Sequence, residues 1–223
     1  MKIYLVRHAE STGNISPSFN GQKDVPLSEN GRQQAILLGE FFKNLKLDRI
    51  YTSTLKRTIE TADLALSGKR ESFISLDSIR EINGGDWEGR NYDDIYELWG
   101  DEFRKWRETP HKAQPPNGEN IYDVFDRVVD TLEKIVSENE NESTVAVFAH
   151  GAVIKTIIAF IRFLPLSSLT EIAWYENSSV TEIIYEDGKY SLGFYDNHDH
   201  LPDNIKTVAN SDWGRTMKST CRY

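Results

Sequence analysis

Cysteine is all but absent from this 223-residue sequence, and the single one, Cys221, has no partner for an intramolecular disulfide. Nothing around it would lower a thiol pKa, so it reads as incidental and not as a nucleophile. No apolar run approaches the ~20 residues that span a bilayer. The opening residues also lack a basic segment followed by an apolar stretch, so neither membrane nor export is indicated and a cytoplasmic location is expected. Positive charge is in deficit. A formal net charge of −9 argues against nucleic acid as a partner, because binding a phosphate backbone needs a basic face. Internal repeats and low-complexity tracts are missing. So are the spacings that hold a metal: there is no His-x-x-x-His, no cysteine pair and no Asp-rich cluster. Ser11 and Ser53 lack a surrounding Gly-x-Ser-x-Gly turn, and no Walker-type loop occurs. Neither metal nor cofactor is expected.

What is there is an enzyme-like balance, 39% hydrophobic and 27% charged, in a chain long enough to bury a sizeable core. Lys2 to Val6 reads as a short buried strand that ends abruptly in Arg7-His8-Ala9-Glu10-Ser11-Thr12-Gly13-Asn14. Thr144 to Ala149 repeats the arrangement and runs into His150-Gly151-Ala152. In an open parallel sheet, ligands sit beyond the carboxyl ends of the strands. Two strands that each deliver a histidine at that end imply one shared site.

Between them, Ser28 is placed to cap a helix carrying Ala35, Leu38, Phe41, Phe42 and Leu45. Asp48–Tyr51 reads as a strand, Leu55–Leu66 as a helix with Arg57 in its first turn, and Ser72–Leu76 as a third strand. Residues 80–140 read as a largely helical insertion on one side of the sheet within a single domain, with helices near Tyr92–Trp99, Asp101–Glu108 and Glu119–Glu138. After a helix over Ala152–Phe163, strands are expected at Ile172–Tyr175 and Val180–Tyr185. Asp187-Gly188 then suits a hairpin turn into Tyr190–Tyr195.

A lone histidine is most often structural, and His111, His198 and His200 stay under that reading. His8 and His150 differ because each ends a strand before small residues. The amides of Gly151 and Ala152 open a helix and favour an anion beside His150. With Arg7 and Arg57 nearby, a pocket for a phosphoryl dianion is the better account. Guanidinium neighbours disfavour imidazolium, so His8 keeps a lone pair for attack on phosphorus. Arg7, Arg57, His150 and the Gly151 amide then neutralise charge on the phosphoryl oxygens. The leaving alkoxide needs a proton from a positioned carboxyl; Glu81 is the first candidate and Glu88 the second, with Glu10 a structural cap.

This combination resembles the histidine phosphatase superfamily, also called phosphoglycerate mutase-like. Arg7-His8-Ala9-Glu10-Ser11-Thr12 is similar to its Arg-His-Gly-x-Thr signature, with Ala9 in place of the common glycine. Supporting matches are Asp24-x-Pro26-Leu27-Ser28, Ser53-x-Leu55-x-Arg57-Thr58, Glu81 with Gly85-x-Trp87-Glu88-Gly89, Gly118-Glu119, and His150-Gly151. The resemblance implies a three-layer α/β/α sandwich with a mostly parallel sheet and a phosphohistidine on His8. It further implies phosphate binding by Arg7, Asn14, Arg57 and His150, with proton donation by Glu81. Asn20-Gly21 stands where related phosphatases often have Gln-Gly, and is expected to touch substrate. The expected reaction is metal-independent hydrolysis of a small phosphorylated metabolite. A cofactor-dependent phosphoglycerate mutase, or a module that binds phosphorylated ligands without turnover, is the alternative. Arg90, Arg104, Lys105, Arg107 and Lys112 are read mainly as solvated helix surface. Trp87, Trp99, Phe103, Trp106 and Tyr122 either line the entrance or form the insertion's own small core.

Overall fold

A computed structural model describes residues 1–67 and 72–208; Cys221 lies outside them. Six strands, β1 (Lys2–Arg7), β2 (Arg49–Ser53), β3 (Phe73–Leu76), β4 (Thr144–Ala149), β5 (Val180–Glu186) and β6 (Lys189–Leu192), form one sheet in the order β3-β2-β4-β1-β5-β6. The first four run parallel, and β5 and β6 are antiparallel additions at one edge. Asp187 and Gly188 take φ of +49° and +76°, the double left-handed turn a two-residue hairpin requires.

Alternation along the strands builds three layers. Ile3 and Leu5 of β1, with Val145 and Val147 of β4, face helices α4 (Ile121–Ser137) and α5 (Gly151–Ile161). Tyr4 and Val6, with Ala146 and Phe148, face α1 (Glu29–Phe42) and α2 (Lys56–Ala65). Burial on both faces explains why β1 and β4 read as continuous apolar runs. Ser28 caps α1 as expected, its Oγ accepting the Gly31 N–H at 2.9 Å. α4 begins in a reciprocal capping box between Asn120 and Asp123.

Residues 77–143 add no strand between β3 and β4. The two helices expected there form one element, α3 (Tyr92–Glu108), broken at Trp99, where φ −139° and ψ 40° leave the helical region. Its apolar side closes on a small aromatic core. Trp87 is fully buried and meets Phe19, Phe103 and Trp106 edge-on at 5.5–6.5 Å. Those rings therefore hold the insertion together, whereas Tyr122 stays half-exposed.

One expected strand does not form. Ile172–Tyr175 is irregular backbone although Ile172 and Tyr175 are buried. Both edges of β1 are already filled by β4 and β5. The Tyr175 carbonyl accepts from Arg7 Nη1 instead. Among the described residues, no helix is long and apolar enough to cross a membrane.

Candidate active site

Strand order creates the pocket. β1 pairs in register with β4, Arg7 opposite Ala149, so His8 and His150 leave adjacent carboxyl ends side by side. Their ring centroids are 5.2 Å apart. β2 flanks β4 on the other side and releases the chain into α2, whose first turn carries Arg57. All four side chains are buried.

The hydrogen bonds fix the tautomers. His8 Nδ1 lies 2.7 Å from the Ala9 carbonyl, which can only accept, so Nδ1 carries the proton and Nε2 keeps its lone pair. His150 has the opposite pattern. The Arg57 Nε–H donates to its Nδ1 at 3.2 Å, so the neutral ring holds its proton on Nε2. That Nε2 is buried without a hydrogen-bond partner among the described residues. One imidazole thus presents a nucleophilic nitrogen and its neighbour an N–H donor.

Burial first, then the Arg57 and Arg7 charges, hold the His8 imidazole well below the ordinary histidine range. Burial and Arg57 act in the same direction on His150. Both rings are therefore neutral at neutral pH. The sign for stability follows directly. Below about pH 6.5 the unfolded histidines take protons that the folded ones refuse, so stability falls as pH drops through that value, by at most about 1.4 kcal/mol per pH unit for each ring. Denaturant midpoints measured from pH 7 to pH 5 are expected to fall. A flat profile would contradict this electrostatic picture.

The arginines are held by backbone. Arg57 donates from Nη1 to the Lys23 carbonyl at 3.0 Å and from Nη2 to the Gly21 carbonyl at 2.6 Å. Burial lowers its pKa to about 10, which still leaves it charged. With Nε on His150, three of its five N–H groups are taken and two remain for a ligand. Arg7 donates from Nη1 to the Tyr175 carbonyl, and its guanidinium carbon lies 5.7 Å from the Trp174 ring centroid. Its Nε is buried without a protein partner among the described residues.

Glu81 sits at the start of α5. Both of its carboxylate oxygens lie 3.2 Å from the Ala152 N–H, and Oε1 also accepts from the Ile82 N–H at 3.0 Å. The sequence alone gave both opening amides of α5 to a bound anion; the fold gives Ala152 to Glu81 and leaves Gly151 beside His150. A Cβ at Gly151 would lie 2.5 Å from the Trp174 ring, so a side chain there would require that ring to shift. Glu88, the second carboxyl considered, is occupied: it accepts the N–H groups of Gln22, Lys23 and Gly84 at 2.7–2.9 Å. It knits two loops together. Glu10 likewise caps the opening turn, accepting from Ser28 Oγ at 2.5 Å.

Asn14 lies at the mouth of the turn, where its Oδ1 takes the N–H and Oγ of Ser11 at 2.9 and 3.0 Å, leaving its Nδ2 for a ligand. The Asn20 amide is turned inward instead, donating to the carbonyl and Oγ of Ser18 at 2.8 Å. Gly21 meets the site through its carbonyl on Arg57, and any Cβ there would lie 2.1 Å from the Ile82 carbonyl. Three of the basic residues considered in the sequence have partners in or beside α3. Arg104 and Lys105 pair with Asp101 and Glu102 on the same helix, and Arg90 lies over Trp99.

Two supporting groups had no counterpart in the sequence reading. Arg127 on α4 forms a bidentate pair with Glu119 at 2.7 and 2.9 Å and donates to the carbonyls of Ser78, Arg80 and Glu81. It pins the backbone that aims Glu81. Asn177, fully buried, donates from Nδ2 to the His8 carbonyl at 2.8 Å. Its only signal was a polar run, Glu176-Asn177-Ser178-Ser179, between two apolar segments. Among the described residues, no group of three His, Cys, Asp or Glu side chains is placed to hold a metal ion.

Residues 3–198 match the family profile described as histidine phosphatase superfamily (branch 1). Over 167 residues the chain is 36% identical to phosphoserine phosphatase 1 of Hydrogenobacter thermophilus, covering 75% of this chain and 79% of that one. It is 35% identical over 191 residues to the 2,3-bisphosphoglycerate-dependent phosphoglycerate mutase of Bartonella bacilliformis, covering 82% and 91%. The solved structure of YhfR from Bacillus stearothermophilus superposes with a TM-score of 0.86 at 34% identity, covering 90% of this chain and 99% of that one.

Proposed function

The chain belongs to the histidine phosphatase superfamily, and from that premise we propose how its residues divide the hydrolysis of a phosphomonoester: His8 carries the phosphoryl group, Glu81 moves the proton, and Arg7, Arg57, Asn14 and His150 bind the phosphoryl oxygens. The observation that supports this most is the pair of opposed tautomers. His8 Nε2 holds a lone pair inside a cation-lined pocket, next to an imidazole that offers an N–H.

In the first half-reaction, His8 Nε2 attacks phosphorus and the bond to the leaving oxygen breaks. That oxygen takes a proton from the Glu81 carboxyl. The fixed donors Arg7, Arg57, His150 Nε2 and the Gly151 N–H meet the equatorial oxygens as charge spreads over them. In the second half, water attacks phosphorus, the P–N bond breaks, and Glu81 receives the proton. Inorganic phosphate leaves, and His8 is neutral again. Among the described residues, the cations placed for the phosphoryl group are the guanidinium groups of Arg7 and Arg57, so turnover is expected to be unaffected by a chelator.

The direct test is to quench the protein during turnover of p-nitrophenyl phosphate and map the acid-labile phosphate. Label on the His8 peptide is expected. Label elsewhere, or none with any phosphomonoester, would remove the reading; the latter would favour a binding module. A Glu81→Gln variant is expected to lose about 10²-fold or more with alkyl phosphates, whose leaving oxygens need the proton, and much less with p-nitrophenyl phosphate. Equal losses on both substrates would take Glu81 out of the proton path.

The identity to a mutase favours a second reading, return of the phosphoryl group to a bound acceptor. A phosphoglycerate acceptor carries a carboxylate and a second phosphate, and both need cations. Arg104 and Lys105 are paired with carboxylates of their own helix and Arg90 lies over Trp99, so each already has a partner of its own. Hydrolysis of a small phosphorylated metabolite fits better. Phosphate release outrunning interconversion of phosphoglycerates would decide it.

A further inference from the structure

Ile205–Val208 lie far from His8 in sequence and place no side chain among the phosphate-binding groups. They are nevertheless tied to buried side chains on both sides of the turn that presents His8.

On one side is Glu10, two residues past His8. Its Oε2 accepts from Thr207 Oγ1 at 2.8 Å and from Asn30 Nδ2 at 3.0 Å. The backbone N–H of Glu10 donates to Gln34 Oε1 at 2.8 Å. Gln34 Nε2 in turn donates to the Ile205 carbonyl at 2.6 Å and to Thr207 Oγ1 at 2.9 Å. The Thr207 hydroxyl is thus a relay, receiving from Gln34 and donating to Glu10.

On the other side is Glu176. Its Oε1 accepts the N–H groups of Asn177 at 3.0 Å and of Thr207 and Val208 at 2.8 Å each. Asn177 Nδ2 then holds the His8 carbonyl at 2.8 Å, and the Ser178 N–H reaches the same oxygen at 3.3 Å. Ser178 does so at φ +62°, a left-handed conformation that a side chain adopts at some cost.

Thr207 therefore bridges the two supports of His8, through its hydroxyl to Glu10 and through its amide to Glu176. We propose that Thr207 is a positioning residue for His8: it latches the C-terminal segment across the nucleophile's turn and fixes the position of Nε2. The inference rests on His8 being the nucleophile. Removing the Thr207 hydroxyl takes from the buried Glu10 one of its three side-chain donors, leaving Ser28 Oγ and Asn30 Nδ2. It also takes from Gln34 Nε2 one of its two acceptors, so the turn after His8 is held less tightly. A displacement near 1 Å costs an in-line reaction up to about 10²-fold.

The test uses the full chain and the single-turnover rate of His8 phosphorylation from p-nitrophenyl phosphate, on protein shown to be folded by circular dichroism. Thr207→Val keeps the shape and removes the hydroxyl; a fall of roughly tenfold in that rate is expected, with KM changed less than kcat. Thr207→Ser restores the hydroxyl and is expected to restore the rate to within about twofold. Glu10→Gln, which keeps one acceptor oxygen, is expected to fall severalfold. Combined with Thr207→Val, it should fall no further than the worse single change, because both break one latch. A lowered Tm with wild-type phosphorylation rates in both single variants, or additive losses in the double, would overturn the proposal. A wild-type chain that takes no label on His8 would instead remove the nucleophile reading and this inference with it. A labelled wild type with an equally fast Thr207→Val variant removes the inference alone.

Discussion

His8→Ala is expected to lower kcat by at least about 10³-fold and to abolish acid-labile labelling, because no other side chain in the pocket offers a lone pair at that position. His150 cannot substitute. Its Nδ1 lone pair is held by Arg57 and its Nε2 carries a proton. The folded state should survive the change, since the alanine removes a ring that burial and two guanidiniums already hold neutral. The same variant provides an independent check. With one buried imidazole gone, the loss of stability between pH 7 and pH 5 should become shallower. Turnover at the wild-type rate in His8→Ala would end the phosphohistidine mechanism, whatever its pH profile.

Arg57→Lys is expected to cost about 10²–10³-fold in kcat/KM, even though charge is conserved. The guanidinium does three things at once: it binds the Gly21 and Lys23 carbonyls, sets the His150 tautomer through Nε, and keeps two N–H groups for the ligand. An ammonium has three donors on one atom and cannot span that set. Nitrogen NMR of His150 separates the contributions. Loss of the tautomer preference together with loss of rate is the expected result. A variant within about twofold of wild type would show that only the charge matters.

Much of this site was legible before the fold. Arg7, His8 and His150 each sit where an apolar strand gives way to small or polar residues, with Arg57 in the first turn of a helix, and strand ends are where an open parallel sheet binds ligands. What stayed hidden depends on distant partners. Ile172–Tyr175 has the apolar and aromatic composition of a strand but takes irregular backbone, and its Tyr175 carbonyl meets Arg7. Glu81 already ranked ahead of Glu88 in the sequence, and the fold draws them further apart. Glu88 is occupied by three loop amides, whereas Glu81 reaches the first turn of α5. Asn20 sits in the expected loop, yet a rotation toward Ser18 removes its amide from the pocket.

The sequence by itself determined the elements and the chemistry they carry, because period and capping are local properties of the chain: Ser28 before α1, the apolar runs of β1 and β4, a histidine at the end of each. Only the tertiary structure decided which nitrogen of each histidine bears the proton and which carboxylate reaches the first turn of α5. Those outcomes depend on acceptors such as the Ala9 carbonyl and donors such as Arg57 arriving within about 3 Å, and three-dimensional packing sets such distances while residue order does not.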